Sequence, residues 1–310
     1  MIIPANVQTY LISAVYHAPR GRSRLYNLGC MLSQRYLHPS DLLIGVIGSE
    51  GSGKSTLIRG LFPGLELTND DDGVNLHPAP ILNFSENDFF SGHTFHLDIR
   101  HESAFTQMFK LVEAVNMAIR HERRVVVEHF DLLYKHLGYN AQVIFAIGED
   151  VRVYRPSVFS QSPLNIKKEV DQTIKYRLMA HSAEDITSHI MERDYGYEHP
   201  NLHSDVKHGF VIGFKEKPNV NLKELEEKVM EVIDRNLPIS PAEGNHITFG
   251  ESKMYCTGKR IHVKFTGEIE NFRLLNEFRY DPINREYLLV GIVGKEFELS
   301  LETLPPVQSP

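Results

Sequence analysis

Hydrophobic positions in the first half of the chain alternate between helical and strand-like spacing. Residues 23–36 and 104–121 place apolar side chains at helical intervals. Shorter apolar runs typical of buried strands cover residues 41–47, 94–99, 125–127 and 143–147. Because helices that alternate with strands are typical of βαβ units, the sequence predicts an α/β fold with a mostly parallel sheet.

The second half follows a different pattern. Proline and serine cluster between Arg155 and Pro163, which indicates a domain boundary. Helical spacing returns over 166–193 and 222–236, and residues from His246 onward alternate in the manner of antiparallel strands. We therefore predict an N-terminal α/β domain, a linker, an α+β domain and a tail, at residues 1–155, 156–174, 175–300 and 301–310.

Composition narrows the class of protein. A length of 310 residues favours two domains, and a formal net charge of −7 argues against non-specific coating of nucleic acid. The apolar run at residues 42–47 is too short to cross a bilayer, and the N-terminus has no basic segment typical of a secretory signal. Two distant cysteines, Cys30 and Cys256, fit a reducing cytoplasm, so we expect a cytoplasmic protein without a membrane partner. The sequence makes no prediction about the oligomeric state.

A phosphate-binding pattern, G-x-x-x-x-G-K-[ST], follows the predicted strand at 41–47 and opens a predicted helix. It comprises Gly48, Ser49, Glu50, Gly51, Ser52, Gly53, Lys54 and Ser55, with Thr56 next. The glycines let backbone N–H groups face the phosphates at a helix N-terminus. Lys54 supplies a cation for the β- and γ-phosphates, and the Ser55 hydroxyl is suited to Mg²⁺. The sequence therefore predicts binding of a nucleoside triphosphate, ATP with Mg²⁺.

A triphosphate site also needs a carboxylate to hold the metal or to orient the attacking group. Asp98 and Glu128 each lie at the end of a predicted strand, where ligands bind in parallel sheets. The acidic run Asp70, Asp71 and Asp72 is a third candidate, although its composition is also that of a solvated turn.

Residues 23–131 resemble the P-loop ATPase subunit of the bacterial tRNA threonylcarbamoyladenosine machinery. The resemblance is carried by the phosphate loop together with Leu28-Gly29, Arg59-Gly60-Leu61, the segment with His96, Asp98 and Arg100, and Glu128. It implies that Asp98 and Glu128 serve the metal and hydrolysis, and that Ser55 completes the Mg²⁺ shell. The chain departs from this family at His129, where tryptophan is usual, and at the acidic run 70–72, where a switch rich in serine and threonine is expected.

The acidic run keeps a second interpretation open. A carboxylate at that position is similar to those of small-molecule P-loop kinases, which activate a substrate hydroxyl. Hydrolysis of ATP and phosphorylation of a nucleoside-like acceptor therefore both remain open at this point.

Residues 175–295 contain a second series of motifs. They are His181-Ser182-Ala183, the segments 208–214 and 225–238, Cys256 with His262-Val263, Thr266-Gly267-Glu268-Ile269 and Phe272-Arg273-Leu274-Leu275. This series is similar to the second additional, or editing, domain of threonyl- and alanyl-tRNA synthetases. In that family a His-x-x-x-His pair and a Cys-x-x-x-His pair converge on one metal or hydrolytic site.

By that resemblance, four residues are candidate Zn²⁺ ligands. They are His181, Asp185, Cys256 and His262. Side chains at i and i+4 share a helix face, and imidazole and thiolate suit four-coordinate zinc. The chain departs from the family because Asp185 replaces a histidine and the spacing from Cys256 to His262 is longer. A pocket without metal therefore stays open, and Glu184, His189 and His208 are alternative ligands.

Taken together, the sequence favours an ATPase whose nucleotide cycle controls a domain that binds tRNA or an aminoacyl-type small molecule. The proposed chemistry is in-line attack by a water that Glu128 orients, with Lys54 and Asp98 as its partners. A small-molecule kinase is the first alternative. A binding module that is gated by nucleotide and has no enzymatic activity is the second.

Overall fold

A computed structural model of the chain describes residues 11–19, 21–69, 76–84, 92–197, 203–256, 258 and 261–295. The chain divides into two compact units, which we call unit 1 (Met1–His17 and Arg22–Gln172) and unit 2 (Ala18–Gly21 and Thr173–Pro310). Over the described ranges, no helix combines the length and the apolar character that crossing a membrane requires. The acidic run 70–72 and the predicted tail 301–310 lie outside the described residues.

Unit 1 is a mixed α/β structure, which confirms the α/β class that the sequence predicts. Its strands are β1 (Ser13–His17), β2 (Leu43–Gly48), β3 (Thr94–Asp98), β4 (Arg124–Glu128), β5 (Val143–Ile147) and β6 (Asp150–Tyr154). Its helices are α1 (Arg22–Tyr36), α2 (Lys54–Leu61), α3 (Ile99–Glu102), α4 (Met108–Arg120) and α5 (Phe130–Leu137), with a 3-10 turn at Pro80–Asn83.

The six strands form one sheet in the order β1-β6-β5-β2-β4-β3. The strands β5, β2, β4 and β3 are parallel, whereas β6 and β1 join antiparallel at one edge. The sheet is therefore mixed, and its antiparallel edge is a feature that the sequence did not predict. Only two residues, Gly148 and Glu149, separate β5 from β6, and so short a connection can join antiparallel strands only.

The central strands are buried on both faces, which explains their nearly continuous runs of β-branched residues. On one face Ile47, Val125 and Val127 pack in the same apolar cluster as Leu111 and Val115 of α4. On the other face, Val46, Val126, Ile58 and Leu67 form a smaller cluster. The sheet is thus held between layers, with the carboxyl ends of β2, β3 and β4 at one edge.

Two glycines bring α1 and α2 into close contact. A Cβ atom on Gly60 would lie 2.2 Å from the Tyr26 carbonyl oxygen, and one on Gly29 would lie 2.6 Å from the Leu57 carbonyl oxygen. Neither distance is physically acceptable, so the two helices can cross this closely only because both positions lack a side chain. The glycines of the motifs Leu28-Gly29 and Arg59-Gly60-Leu61 are therefore needed for helix packing. Their packing holds α2 in position behind the predicted phosphate loop.

Helix α6 (Pro163–Tyr195) supplies residues to both units and runs without interruption for 33 residues. The predicted linker 156–174 is therefore helical from Pro163 onward. Proline is favoured in the first turn of a helix, and the Ser162 hydroxyl accepts a hydrogen bond from Asn165 N over 3.3 Å. The helix predicted over 166–193 lies within α6, whose start comes earlier because Ser162 and Pro163, which have the composition of a loop, begin it.

Unit 2 combines α6 and α7 (Leu222–Asp234) with two antiparallel sheets. One sheet contains β7 (His203–Val206), β8 (Gly209–Phe214), β12 (Arg273–Leu274), β13 (Arg279–Asp281) and β14 (Glu286–Ile292). The other contains β9 (Ile239–Ala242), β10 (His246–Phe249) and β11 (Ser252–Tyr255). Residues of α6, α7, β8 and β14 share one apolar core, which positions the buried face of α6.

Candidate nucleotide and metal sites

The phosphate loop joins β2 to α2 at the carboxyl edge of the sheet. Gly51 and Gly53 have φ of 71° and 98°, a left-handed conformation that glycine adopts without strain. A Cβ on Gly48 would lie 2.7 Å from Ser52 Oγ and 3.0 Å from the Lys54 side chain. The glycines of the motif are thus required by backbone conformation and close approach, and they place the N-terminus of α2 at the end of the loop.

The side chains of the loop's last residues face the strand ends. Lys54 is 7% exposed, and its Nζ donates to the Ser49 carbonyl oxygen over 3.0 Å. Ser55 Oγ donates to Glu128 Oε1 over 3.2 Å. Because β2 and β4 are adjacent and parallel, the loop after β2 and the last residue of β4 meet at this edge. The predicted partners Lys54, Ser55 and Glu128 therefore lie together.

Asp98 belongs to the same cluster. It is the register partner of Glu128 across β3 and β4, and both carboxylates are buried. Donor atoms of Asp98, Glu128 and His129 all lie within 4.8 Å of one another. Asp98 Oδ2 accepts from Asn69 Nδ2 over 3.2 Å, and Oδ1 accepts from the His101 N–H over 3.1 Å. Asp98 is thus held in a fixed orientation next to Glu128.

Charges around Glu128 keep it ionised. Burial by itself raises the pKa of Glu128, but the neighbouring His96 and then the Lys54 ammonium outweigh it, so the pKa lies below its ordinary value. His96 Nε2 lies 3.8 Å from Glu128 Oε1, and His96 Nδ1 lies 3.0 Å from the Thr68 N–H, which donates to it. Glu128 is therefore an anion suited to a metal ion or to orienting water, and it is a poor proton donor.

His129 follows Glu128 in a left-handed conformation with φ of 56°. Burial, and after it the Lys54 ammonium, lowers the pKa of His129 despite the nearby Asp98 and Glu128 carboxylates. Its imidazole is therefore neutral at neutral pH. In the sequence, His129 is noticeable only as a difference from the ATPase family that the chain resembles, and His96 has no predicted role at the site. The closeness of His96 to Glu128 depends on the pairing of β3 with β4, which the sequence does not show.

Two contacts hold the outer part of the loop. Ser49 Oγ donates to Asp171 Oδ1 on α6 over 2.9 Å, and both residues belong to unit 1. Glu50 forms an ion pair of 2.6 Å with Arg100, but both side chains are more than half exposed, so the pair adds little stability. The loop is thus tied to α6 through Ser49, a contact that its sequence pattern does not indicate.

In unit 2 the four predicted ligands come together. His181 and Asp185 lie one turn apart on α6, and Cys256 and His262 belong to the segment that follows β11. Cys256 Sγ lies 3.4 Å from His181 Nε2 and 3.8 Å from His262 Nε2. Asp185 Oδ2 lies 2.9 Å from His262 Nε2 and 3.9 Å from His181 Nε2.

These separations fit a four-coordinate ion. Tetrahedral zinc with ordinary bond lengths requires ligand atoms about 3.3–3.6 Å apart, and all four donor atoms here lie within 4.8 Å of one another. The set of one thiolate, two imidazoles and one carboxylate is also one that zinc prefers. The residues present therefore fit Zn²⁺, even with aspartate at the second helix position.

The surroundings of the four ligands fix their positions. Ser182 Oγ donates to the Leu178 carbonyl oxygen and accepts from the Val263 N–H over 3.1 Å, which ties α6 to the segment carrying His262. The Gly258 N–H points at Cys256 Sγ over 3.3 Å, a contact that favours a thiolate. A Cβ on Gly258 would lie 2.9 Å from the His181 ring, so only glycine fits there.

The alternative ligands lie elsewhere among the described residues. His189 packs edge-on against Phe249, and His208 lies against the Tyr176 ring with centroids 3.9 Å apart. Glu184 is fully buried but does not belong to the four-residue group. The geometry therefore favours the original four residues over these substitutes.

Comparison with known proteins adds no assignment. No protein-family model matches the chain, and no curated protein matches it. Its function has to be inferred from the geometry of the two sites.

Proposed function

We propose that the chain binds ATP with Mg²⁺ in unit 1, as a P-loop NTPase, and hydrolyses it. The observation that carries this proposal is the hydrogen bond from Ser55 Oγ to Glu128, beside the buried Lys54. A hydroxyl, an anionic carboxylate and a lysine at a helix N-terminus are the groups that bind and activate a triphosphate. Ser55 and Asp98 would hold the Mg²⁺ ion, which supplies charge stabilisation of the phosphates.

The charge of Lys54 supports this assignment. Its Nζ bonds directly to a neutral carbonyl, that of Ser49, although its charge also acts on the neighbouring Glu128 carboxylate. The glycine-rich turn also ends at the N-terminus of α2, where the helix dipole favours an anion. Together these groups complement the β- and γ-phosphates.

Hydrolysis follows from the state of Glu128. A carboxylate with a lowered pKa accepts a hydrogen bond from water and aligns it for attack on the γ-phosphorus, while the bond from that phosphorus to the β–γ bridging oxygen breaks. The products are ADP and phosphate. Lys54 stabilises the charge that develops on the phosphate oxygens.

A small-molecule kinase is the second candidate, and Asp98 is the observation that favours it. Asp98 is held by Asn69 and His101 and not by Ser55, so it is a second carboxylate beside the first. One carboxylate can serve the metal while the other activates an acceptor hydroxyl. In this interpretation Asp98 activates the acceptor hydroxyl, a role that the sequence assigned to the acidic run 70–72.

For unit 2 we extend the proposal to a Zn²⁺-binding domain of the synthetase second-additional type, with tRNA or an aminoacyl-type small molecule as its ligand. The support is the convergence of His181, Asp185, Cys256 and His262. Zinc held by all four residues would have no open position for water, so it would fix α6 to the segment after β11 and leave the ligand to other groups of the domain. A thiolate ligand at Cys256 also suits a reducing cytoplasm.

One assay separates the alternatives. Purified protein is incubated with γ-labelled ATP and Mg²⁺, with and without tRNA and with a panel of nucleosides, and the labelled product is identified. Free phosphate supports the hydrolase, and label on a nucleoside supports the kinase. Tight ATP binding with no labelled product in single-turnover conditions supports the gated binding module, and absence of ATP binding contradicts all three.

A further inference from the structure

A third group of potential ligands lies in unit 1, apart from the residues assigned above. His77, His101 and Glu102 each offer one donor atom, and the three atoms lie within 4.8 Å of one another. His77 Nδ1 is 3.4 Å from Glu102 Oε2. This separation is close to the ligand spacing that a small divalent ion imposes, about 3.3 Å for tetrahedral zinc.

The buried environment of the Glu102 carboxylate favours a bound metal ion. The side chain is 0% exposed, and over the described parts of the chain neither of its carboxylate oxygens accepts a hydrogen bond. A buried carboxylate without hydrogen bonds is costly, and buried charges in proteins are normally paired or bound to metal. His77, at 3.4 Å, gives Glu102 an ionic neighbour when protonated but does not satisfy its two oxygens.

The local structure holds the three side chains together. His101 and Glu102 are consecutive in α3, whose first turn is capped by Asp98 through the His101 N–H. The Phe105 ring packs against His77 and His101, with centroids 4.5 and 5.3 Å away. The His77 side chain is 39% exposed, so an ion could reach the cluster from solvent.

We infer that His77, His101 and Glu102 form a site for a divalent transition-metal ion of the zinc type. Two imidazoles and one carboxylate are borderline ligands that zinc prefers, whereas Mg²⁺ prefers oxygen donors alone. Three protein ligands leave a fourth position for water or another small ligand. The site differs from the unit 2 cluster in having no sulfur ligand, and none of its three residues is among those assigned to the nucleotide.

Cobalt titration tests this inference because Co²⁺ reports its ligands by absorption. The full-length protein is stripped of metal and titrated with Co²⁺ in the absence of nucleotide. A sulfur-to-cobalt charge-transfer band reports Cys256. A ligand field without that band reports the new site if His77→Ala and His101→Ala remove it, and the group of Asp98, Glu128 and His129 if they do not. Competition with Zn²⁺ then gives the affinity of each site.

His77→Ala and His101→Ala each remove one partly exposed imidazole, and His136→Ala removes an exposed histidine of α5 as a matched control. We expect each test variant to weaken the sulfur-free site by at least about 100-fold, since even outer contacts of metal ligands contribute 10–100-fold. The control should bind as the wild type does. Thermal melting shows whether the variants are folded.

Two results would overturn the inference. One is a wild-type protein that shows no sulfur-free cobalt equivalent, and the other is a sulfur-free equivalent that both test variants retain. Because the titration contains no ATP, a negative cobalt result leaves the proposed hydrolysis standing. Conversely, a protein that does not bind ATP can still give the cobalt result expected for this site.

Discussion

Ser55, in the first turn of α2, donates a hydrogen bond to Glu128 at the end of β4 over 3.2 Å. The two residues are 73 positions apart in the chain and meet because β2 and β4 are adjacent parallel strands. This contact joins the phosphate loop to a carboxylate that its environment keeps ionised. In the proposed function, this contact marks the place where a metal-bound triphosphate would be attacked.

Replacement of Glu128 should separate binding from chemistry. We expect Glu128→Gln to lower the rate of phosphate release by about 100-fold or more, since the neutral amide has neither the negative charge nor the basicity with which a carboxylate polarises the attacking water. ATP affinity should change by less than about tenfold, because Lys54 and the loop backbone are intact. Phosphate release and equilibrium binding measure the two effects. A variant with unchanged turnover would exclude Glu128 from the reaction.

Cysteine substitution tests the unit 2 site. Cys256→Ser should reduce zinc content by one equivalent per chain and lower the melting temperature of the zinc-loaded protein, because bound metal stabilises the folded state. Cys30→Ser is the matched control, since Cys30 lies on α1 and belongs to no ligand group among the described residues. Elemental analysis and thermal melting provide the measurements. Equal zinc content in both variants would contradict the assignment.

The crossing of α1 and α2 predicts a strong effect of a single methyl group. Gly60→Ala should lower the free energy of unfolding by about 1–3 kcal/mol, because its Cβ would overlap the Tyr26 carbonyl oxygen. Gln34→Ala, at an exposed position of α1, should change it by less than about 0.5 kcal/mol. Chemical denaturation compares them, and equal stability would contradict the close crossing.

Asp194 at the end of α6 should titrate abnormally. The hydrogen bond from Arg193, followed by that from Lys228, lowers the pKa of Asp194 to about 2 from 3.8. The stabilising effect is therefore present above pH 4 and is lost as the pH falls towards 2. Since the side chain is 21% exposed, we expect no more than about 1 kcal/mol.

NMR of the Asp194 carboxyl carbon measures this directly. We expect a midpoint near 2 in the wild type, a higher midpoint in Lys228→Ala and a still higher one in Arg193→Ala. A wild-type midpoint at the ordinary value of 3.8 would show that the ion pairs do not form in solution.

Features that depend on contiguous residues could be predicted from the sequence. The turn between β2 and α2 is one, because Gly51 and Gly53 supply the left-handed backbone conformation that it requires. The strand end at Glu128 is another, since the buried β-branched run before it fixes where β4 stops, whereas the strand predicted over 94–99 ends one residue earlier, at Asp98. The candidate ligands His181 and Asp185 follow from helical spacing, although their meeting with Cys256 and His262 required the fold.

Features that depend on pairing could not be predicted in the same way. The closeness of His96 to Glu128 and the antiparallel edge of the sheet depend on strand order, which no local pattern encodes. Helix α6 was predicted over 166–193, but its start was placed three residues too late because Ser162 and Pro163 have the composition of a loop and yet cap a helix. The cluster of His77, His101 and Glu102 was missed because its spacing is not that of a known ligand motif. His101 and Glu102 are adjacent, and His77 lies 24 residues before His101.

Calorimetric titration of ATP tests the central claim most directly. Wild type, Lys54→Ala and Ser55→Ala are titrated with ATP in Mg²⁺ and again in excess chelator. We predict saturable one-to-one binding by the wild type that weakens without Mg²⁺, near-complete loss in Lys54→Ala, and loss of the Mg²⁺ dependence in Ser55→Ala. Equal binding by all three proteins, or none by the wild type, would contradict a nucleotide site at this loop.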